Sequence, residues 1–210
     1  MLGKKSIAVM ALWGVLLGGA SLAAGSNRQK AVEALNAKNY EKAIAILKKE
    51  AARGKENEQF WNLCRLGSAY YLSKQIPEAI ATLVEALKHL GRASAADALE
   101  TSACYFYLGQ AQNDSQRYQE AAASFSNGAS FELRISRGQS DAGERAKNEQ
   151  SAAGLLAWQG ASLLWSGKYQ DAADAFQKAI RLNPKRADIY MGLAAASVRI
   201  KQYDEALAAV

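Results

Sequence analysis

Apolar positions along this chain recur every third or fourth residue, not every second one, and the stretches that carry them are broken by short polar turns. That period places one apolar face on a helix. The clearest stretch is LLAWQGASLLWSGKYQDAADAFQKAIRLNP, from Leu155 to Pro184. It predicts a helix containing the small residue Gly160, a turn at Gly167, Lys168 and Tyr169, and a second helix with Ala172, Phe176 and Ala179 as its inner stripe. Pro184 ends the unit, as a residue that cannot continue a helix. The pattern then starts again, with Ala194 in place of Gly160 and Tyr203 in place of Tyr169. The two small residues and the two tyrosines are separated by the same interval.

The same scheme runs upstream. Arg28 to Asn36 and Glu41 to Ala52 read as helices on either side of Asn39 and Tyr40, the second with Ala43, Ile46 and Leu47 on one face. A polar connector, Arg53 to Glu58, leads to a helix over Phe60 to Leu72. After the turn Ser73 to Pro77, a further helix has Pro77 in its first turn, where a missing N–H costs nothing. Its inner stripe is Ala79, Leu83 and Ala86, and Gly91 is its expected stop. Thr101 to Ala111, Tyr118, Ala121 and Phe125 repeat the arrangement.

A fixed period of about 34 residues built from helix pairs resembles the tetratricopeptide repeat (TPR) family, whose first helix reads W-x2-L-G-x2-Y and whose second reads A-x3-F. Those four first-helix places hold Leu63, Leu66, Gly67 and Tyr70 in the second unit, and Tyr105, Leu108, Gly109 and Gln112 in the third. They hold Leu156, Gln159, Gly160 and Leu163 in the fourth, and Tyr190, Leu193, Ala194 and Ser197 in the fifth. The resemblance covers residues 26–210 and implies an all-α fold: a right-handed solenoid of antiparallel helix pairs, about five units, the last incomplete. The spacing is irregular. Gly67 to Gly109 is longer than a standard unit, and Gly109 to Gly160 is longer still. The surplus in the second case falls in 130–151, a polar stretch expected to be either a longer helix pair or a loop, with a bend near residue 140. The fifth unit stops at Val210, where the Phe of A-x3-F would follow Ala206. A solenoid normally ends in a polar cap, so the chain is expected to be a fragment of a longer protein.

The N-terminus changes the picture of where this array works. Lys4 and Lys5 precede an uncharged run, Ser6 to Ala24, that ends in small side chains. This is the layout of a secretory signal peptide over residues 1–24, with Ser21-Leu22-Ala23 as the cleavage site. The competing reading is an uncleaved anchor tethering the chain to the membrane through residues 6–24. Both put the repeats outside the cytoplasm, which for a bacterial source means the periplasm. The formal net charge of +6 includes Lys4 and Lys5. The remaining excess is mild and scattered, which argues against nucleic acid as the partner.

Candidate chemistry is sparse. His89 is the only histidine and reads as a surface residue near a helix end. No phosphate-binding Gly loop and no Gly-x-Ser-x-Gly turn occurs, so no catalytic residue, cofactor or metal is expected. Cys64 and Cys104 lie in adjacent first helices. Two buried thiols, a disulfide and a reactive thiol all stay open, since spacing alone does not give a Cα separation.

The resemblance implies a concave groove lined by first helices. Its positions here are Trp61, Arg65, Ser68 and Tyr71, then Phe106, Gln110 and Asn113, then Ala157, Ala161, Leu164 and Trp165, then Met191 and Ala195. The set that holds a terminal carboxylate in some TPR domains is missing, with Arg65 the only basic candidate in the middle units. An apolar, aromatic groove suits an amphipathic helix or an extended apolar peptide. For Trp61, Tyr71 and Trp165 the alternative is core packing, and for Trp158 core packing is the stronger reading. The expected function is an exported scaffold that binds envelope proteins and assists assembly of a larger complex. The alternatives are the recruiting arm of a longer enzyme with its catalytic domain beyond residue 210, and a self-associating solenoid.

Overall fold

The computed structural model describes residues 27–53, 56–90 and 98–200, and among these every regular element is helical. In chain order the helices are α1 (Asn27–Asn36), α2 (Tyr40–Arg53), α3 (Glu56–Leu72), α4 (Ile76–Lys88), α5 (Ala98–Asp114), α6 (Tyr118–Gly138), α7 (Ala142–Trp165), α8 (Tyr169–Leu182) and α9 (Ala187–Arg199). They form a right-handed solenoid of antiparallel pairs, α1/α2, α3/α4, α5/α6 and α7/α8, with α9 opening a fifth. Each second helix packs on its own partner and on the next first helix, while α3 also meets α5 and α7 also meets α9. The leader over 1–24, the stop at Gly91, and the Tyr203, Ala206 and Val210 of the fifth unit lie outside the described residues.

The turn inside each pair has one geometry. Lys38, Lys74, Gln116 and Gly167 all take the left-handed conformation, with φ of 56°, 67°, 60° and 81°. In each case the following amide reaches back five residues, as Gln75 N–H does to Tyr70 O (2.9 Å) and Lys168 N–H to Leu163 O (2.9 Å). The left-handed residue's own amide reaches back three, as Lys74 N–H does to Tyr71 O (3.0 Å). This is the Schellman closure of a helix end. Tyr40, Ile76, Tyr118 and Tyr169 then open the second helices, so the aromatic expected in the turn is in fact the first helical residue.

The pairs close through a small-against-large contact. A Cβ added at Gly67 would stand 2.5 Å from Leu83 Cγ, one at Gly109 would stand 2.6 Å from the Phe125 ring, and one at Gly160 would stand 2.9 Å from the Phe176 ring. Phe176 is 1% exposed and is gripped from the far side by Gly192 as well. The fifth unit therefore meets Phe176 through Gly192, whereas Ala194, the residue at Gly160's register, is only partly buried.

The surplus residues of the third and fourth units lengthen their helices. α6 has 21 residues and α7 has 24, against 14 in α8. Only Gln139–Asp141 separates α6 from α7, and Asp141 caps α7 by accepting from Glu144 N–H at 2.8 Å. The extensions are tied together by Ser136 Oγ, which donates to Glu149 Oε1 at 3.2 Å. Further along, Ala152 to Ala157 of α7 are buried without interruption, the mark of a helix enclosed on all sides.

Two cores result. One joins α1 to α5 and contains Leu47, Phe60, Leu83 and Cys104. The other joins α6 to α9 and contains Phe125, Leu155, Phe176 and Ile189. Replacing Gly160 by Leu drives a side chain into the Phe176 ring and should cost about 1–3 kcal/mol; a urea midpoint equal to that of the parent chain would contradict this packing.

Candidate protein-docking groove

The groove positions divide by depth. Trp61 is 7% exposed and lies between two guanidiniums, Arg28 at 4.8 Å and Arg65 at 5.5 Å from its ring. Arg65 is itself 5% exposed and forms a buried ion pair with Glu100 in the first turn of α5. Asn113 is buried, and its side-chain oxygen accepts from Ser162 Oγ of α7 at 3.0 Å. Ser68, Ala157 and Ala161 are buried too. These residues are engaged inside the chain, as the core alternative had it for Trp61. Arg65, which the resemblance implies as a groove cation, has its charge matched by Glu100.

Tyr71, Phe106, Gln110, Leu164 and Trp165 keep part of their surface, as does Ala195, while Met191 is 62% exposed. The rings form a row across the first helices. Tyr71 meets Tyr107 at 5.7 Å, Tyr107 meets Phe106 at 5.4 Å, and Phe106 meets Phe125 at 6.2 Å and Trp158 at 6.5 Å. Trp158 stacks on Phe125 at 5.9 Å, so it serves the core, and Trp165 leans on Tyr118 at 5.8 Å. Burial pushes the Tyr71 and Tyr107 phenols up from their ordinary range, for Tyr71 helped by the Asp114 carboxylate. Both stay neutral at physiological pH.

Beside this row a cavity of about 140 Å³ opens over α3. Leu35 and Asn36 of α1, Cys64, Arg65, Ser68 and Leu72 of α3, and Glu100, Ala103 and Tyr107 of α5 line it with a mixture of apolar and polar groups. The arrangement offers area, shape and a few hydrogen-bonding groups, which is what binding a peptide side chain requires. Among the described residues no group of His, Cys, Asp and Glu is placed to hold a metal, and no helix is long and apolar enough to cross a membrane.

A polar seam crosses the middle of the array. Ser124 Oγ donates to the Gln112 side chain at 2.7 Å, and Ser102 and Glu132 are buried nearby on the facing helices α5 and α6. Gln112 stands where the family motif has Tyr, and that exchange is the readable trace of the seam.

Known proteins share this geometry. A family model described as Tetratricopeptide repeat matches residues 163–210. No curated protein matches the chain in sequence. Among solved structures, MamA from Desulfovibrio magneticus RS-1 superimposes with a TM-score of 0.64 at 16% identity, over 87% of this chain and 88% of that one. The assembly chaperone of RpL4, Acl4, gives 0.70 at 15% identity over 88% and 71%. The apo form of RapI gives 0.65 at 19% identity over 86% of this chain, which spans about half of RapI (49%). The fold is that of a TPR array. Identities this low speak for the fold alone.

Two outcomes follow for the TPR array. Arg65→Met leaves Glu100 buried without its cation and should cost about 3–5 kcal/mol, while Arg65→Met with Glu100→Gln should recover most of that loss; thermal and urea unfolding of both variants checks it. Burial raises the Glu132 carboxyl above its ordinary range, with Ser102 pulling the other way. A folded-state value above the unfolded one means the associated stability is fully present below the unfolded carboxylate range and is lost as pH rises through the raised value. Glu132→Gln should therefore raise Tm near roughly pH 8 and leave it unchanged near about pH 3, well below the ordinary Glu value.

Proposed function

We propose that this chain is a non-catalytic TPR scaffold, exported through its N-terminal apolar segment, that holds an envelope protein against its first-helix face and helps assemble a larger complex. The observation that carries the reading is that Tyr71, Phe106 and Trp165, on successive first helices, are half-buried, with the Tyr71–Tyr107–Phe106 row reaching a cavity through Tyr107. Rings left half in water hold area that a partner can cover, and large rigid aromatics are frequent anchors at interfaces. The TPR solenoid is a platform on which such faces recur, and one of its structural neighbours is described as an assembly chaperone. The partner is a protein segment with an apolar face, an amphipathic helix or extended strand. The site asks for no cofactor.

The test is capture of partners from the envelope fraction of the source cells by the immobilised chain, with Tyr71→Ala/Trp165→Ala beside it. The double variant should lose the captured proteins by about tenfold or more, the scale of one interface anchor, while its Tm falls by only a few degrees. Undiminished capture by the variant would overturn the groove reading, and recovery of the native protein in the cytoplasmic fraction with its leader intact would overturn export.

A further inference from the structure

Cys64 and Cys104 have no task in the groove. Both are free thiols, 2% and 0% exposed, on neighbouring first helices. Cys64 Sγ of α3 lies 3.5 Å from the backbone oxygen of Glu100 in α5. In an α-helix that carbonyl receives the amide of the residue four places on, and the residue four places after Glu100 is Cys104. The sulfur of Cys64 thus rests on the carbonyl that bonds to Cys104's own amide, one helical turn from Cys104. Cys104 Sγ sits 3.8 Å from Leu83 O of α4, so α3, α4 and α5 converge at the pair. Cys64 also lines the open cavity, which gives small reagents a way in to one of the two sulfurs.

We propose that Cys64 and Cys104 are an inter-unit disulfide site, closed by exchange with a low-molecular-weight disulfide, that staples α3 to α5 beneath the groove. In the first step the Cys64 thiolate attacks one sulfur of the reagent, forming a mixed disulfide and expelling one reagent thiolate. In the second, the Cys104 thiolate attacks the Cys64 sulfur, forming the Cys64–Cys104 bond and expelling the other. The two protons leaving the cysteines end on the two released reagent thiols, and the reagent is reduced as the pair is oxidised. Cys64 reacts first because it lines the cavity, and Cys104, one turn along α5 from the carbonyl that Cys64 touches, resolves the intermediate. Desolvation raises the Cys64 thiol well above its ordinary range, with Cys104 and Glu100 adding to that and Arg65 opposing it, so closure is slow at neutral pH.

The bond would tie together the second and third units beside the Arg65–Glu100 pair. Because it closes the whole loop from Cys64 to Cys104, more than a full helix pair, most of its effect falls on the unfolded chain.

The test uses the full chain, purified reduced and then incubated with hydroxyethyl disulfide without denaturant. The expected product is a monomer two hydrogen masses lighter with no titratable thiol, giving a Cys64–Cys104 cross-linked peptide on non-reducing digestion. Its Tm should rise by roughly 5–15 °C and fall back on reduction. Cys104→Ser should stop at one reagent adduct on Cys64, with unchanged helical circular dichroism. If both thiols stay titratable while the chain is folded, if the bridge forms only after unfolding in urea, or if oxidation yields cross-linked dimers instead, the proposal fails.

Discussion

Phe176 fills a space that exists only because neither helix facing it carries a side chain there. Gly160 of its own pair and Gly192 of the next both lie against its ring. One helix pair cannot cover its apolar face, so a repeat is stable only in contact with its neighbours. In this chain that contact runs through a bulky residue on α4, α6 and α8 and an absent Cβ on α3, α5 and α7. Leu83 with Gly67 and Phe125 with Gly109 repeat the arrangement. The distance between helices, the position of the groove face and the depth at which Tyr71 and Trp165 sit all follow from how closely these pairs approach.

The architecture was legible because this contact leaves a strong trace. A small residue on each first helix and a Leu or Phe at a constant interval after it, on the second, survive the drift of everything between them. Three things were less legible. The Schellman turns were visible only where Gly167 marks one, because Lys38, Lys74 and Gln116 take the same left-handed conformation with side chains that do not announce it. The polarity of 130–151 left a longer helix pair and a loop both open; it is helical apart from Gln139–Asp141, and its outer face is simply wet. The spacing of Asp141 and Glu144, a cap three residues ahead of an acid, was the available sign that α7 starts there. Phe176's second glycine was hidden two residues from the register position, since a ring can be met from either side.

The sequence carried the helical register of the proposed groove positions but not their depth. Spacing gives the direction of a side chain from its helix, and it placed Trp61, Arg65 and Trp165 alike on first helices. What it omits is what stands opposite. Glu100 lies across from Arg65 only because α5 packs on α3 in one particular offset, and Arg28 reaches Trp61 only because α1 stacks over α3. Each of those partners sits about one repeat away in the chain, and no local pattern ties them together. Trp165, beside the turn and covered on one side by Tyr118, keeps a free edge for the same reason that Trp61 loses it.

The division into two cores has a bearing on cooperativity. Units in an ideal repeat array couple equally to their neighbours, so unfolding can begin anywhere and spread. Here the two cores meet at α5 and α6, where Gln112, Ser124 and Glu132 are buried and Phe125, lying against Gly109 and Phe106, carries the apolar contact across. Separating α5 from α6 would have to break both the Phe125–Gly109 packing and the buried Ser124–Gln112 hydrogen bond, so the two cores are coupled through the third helix pair.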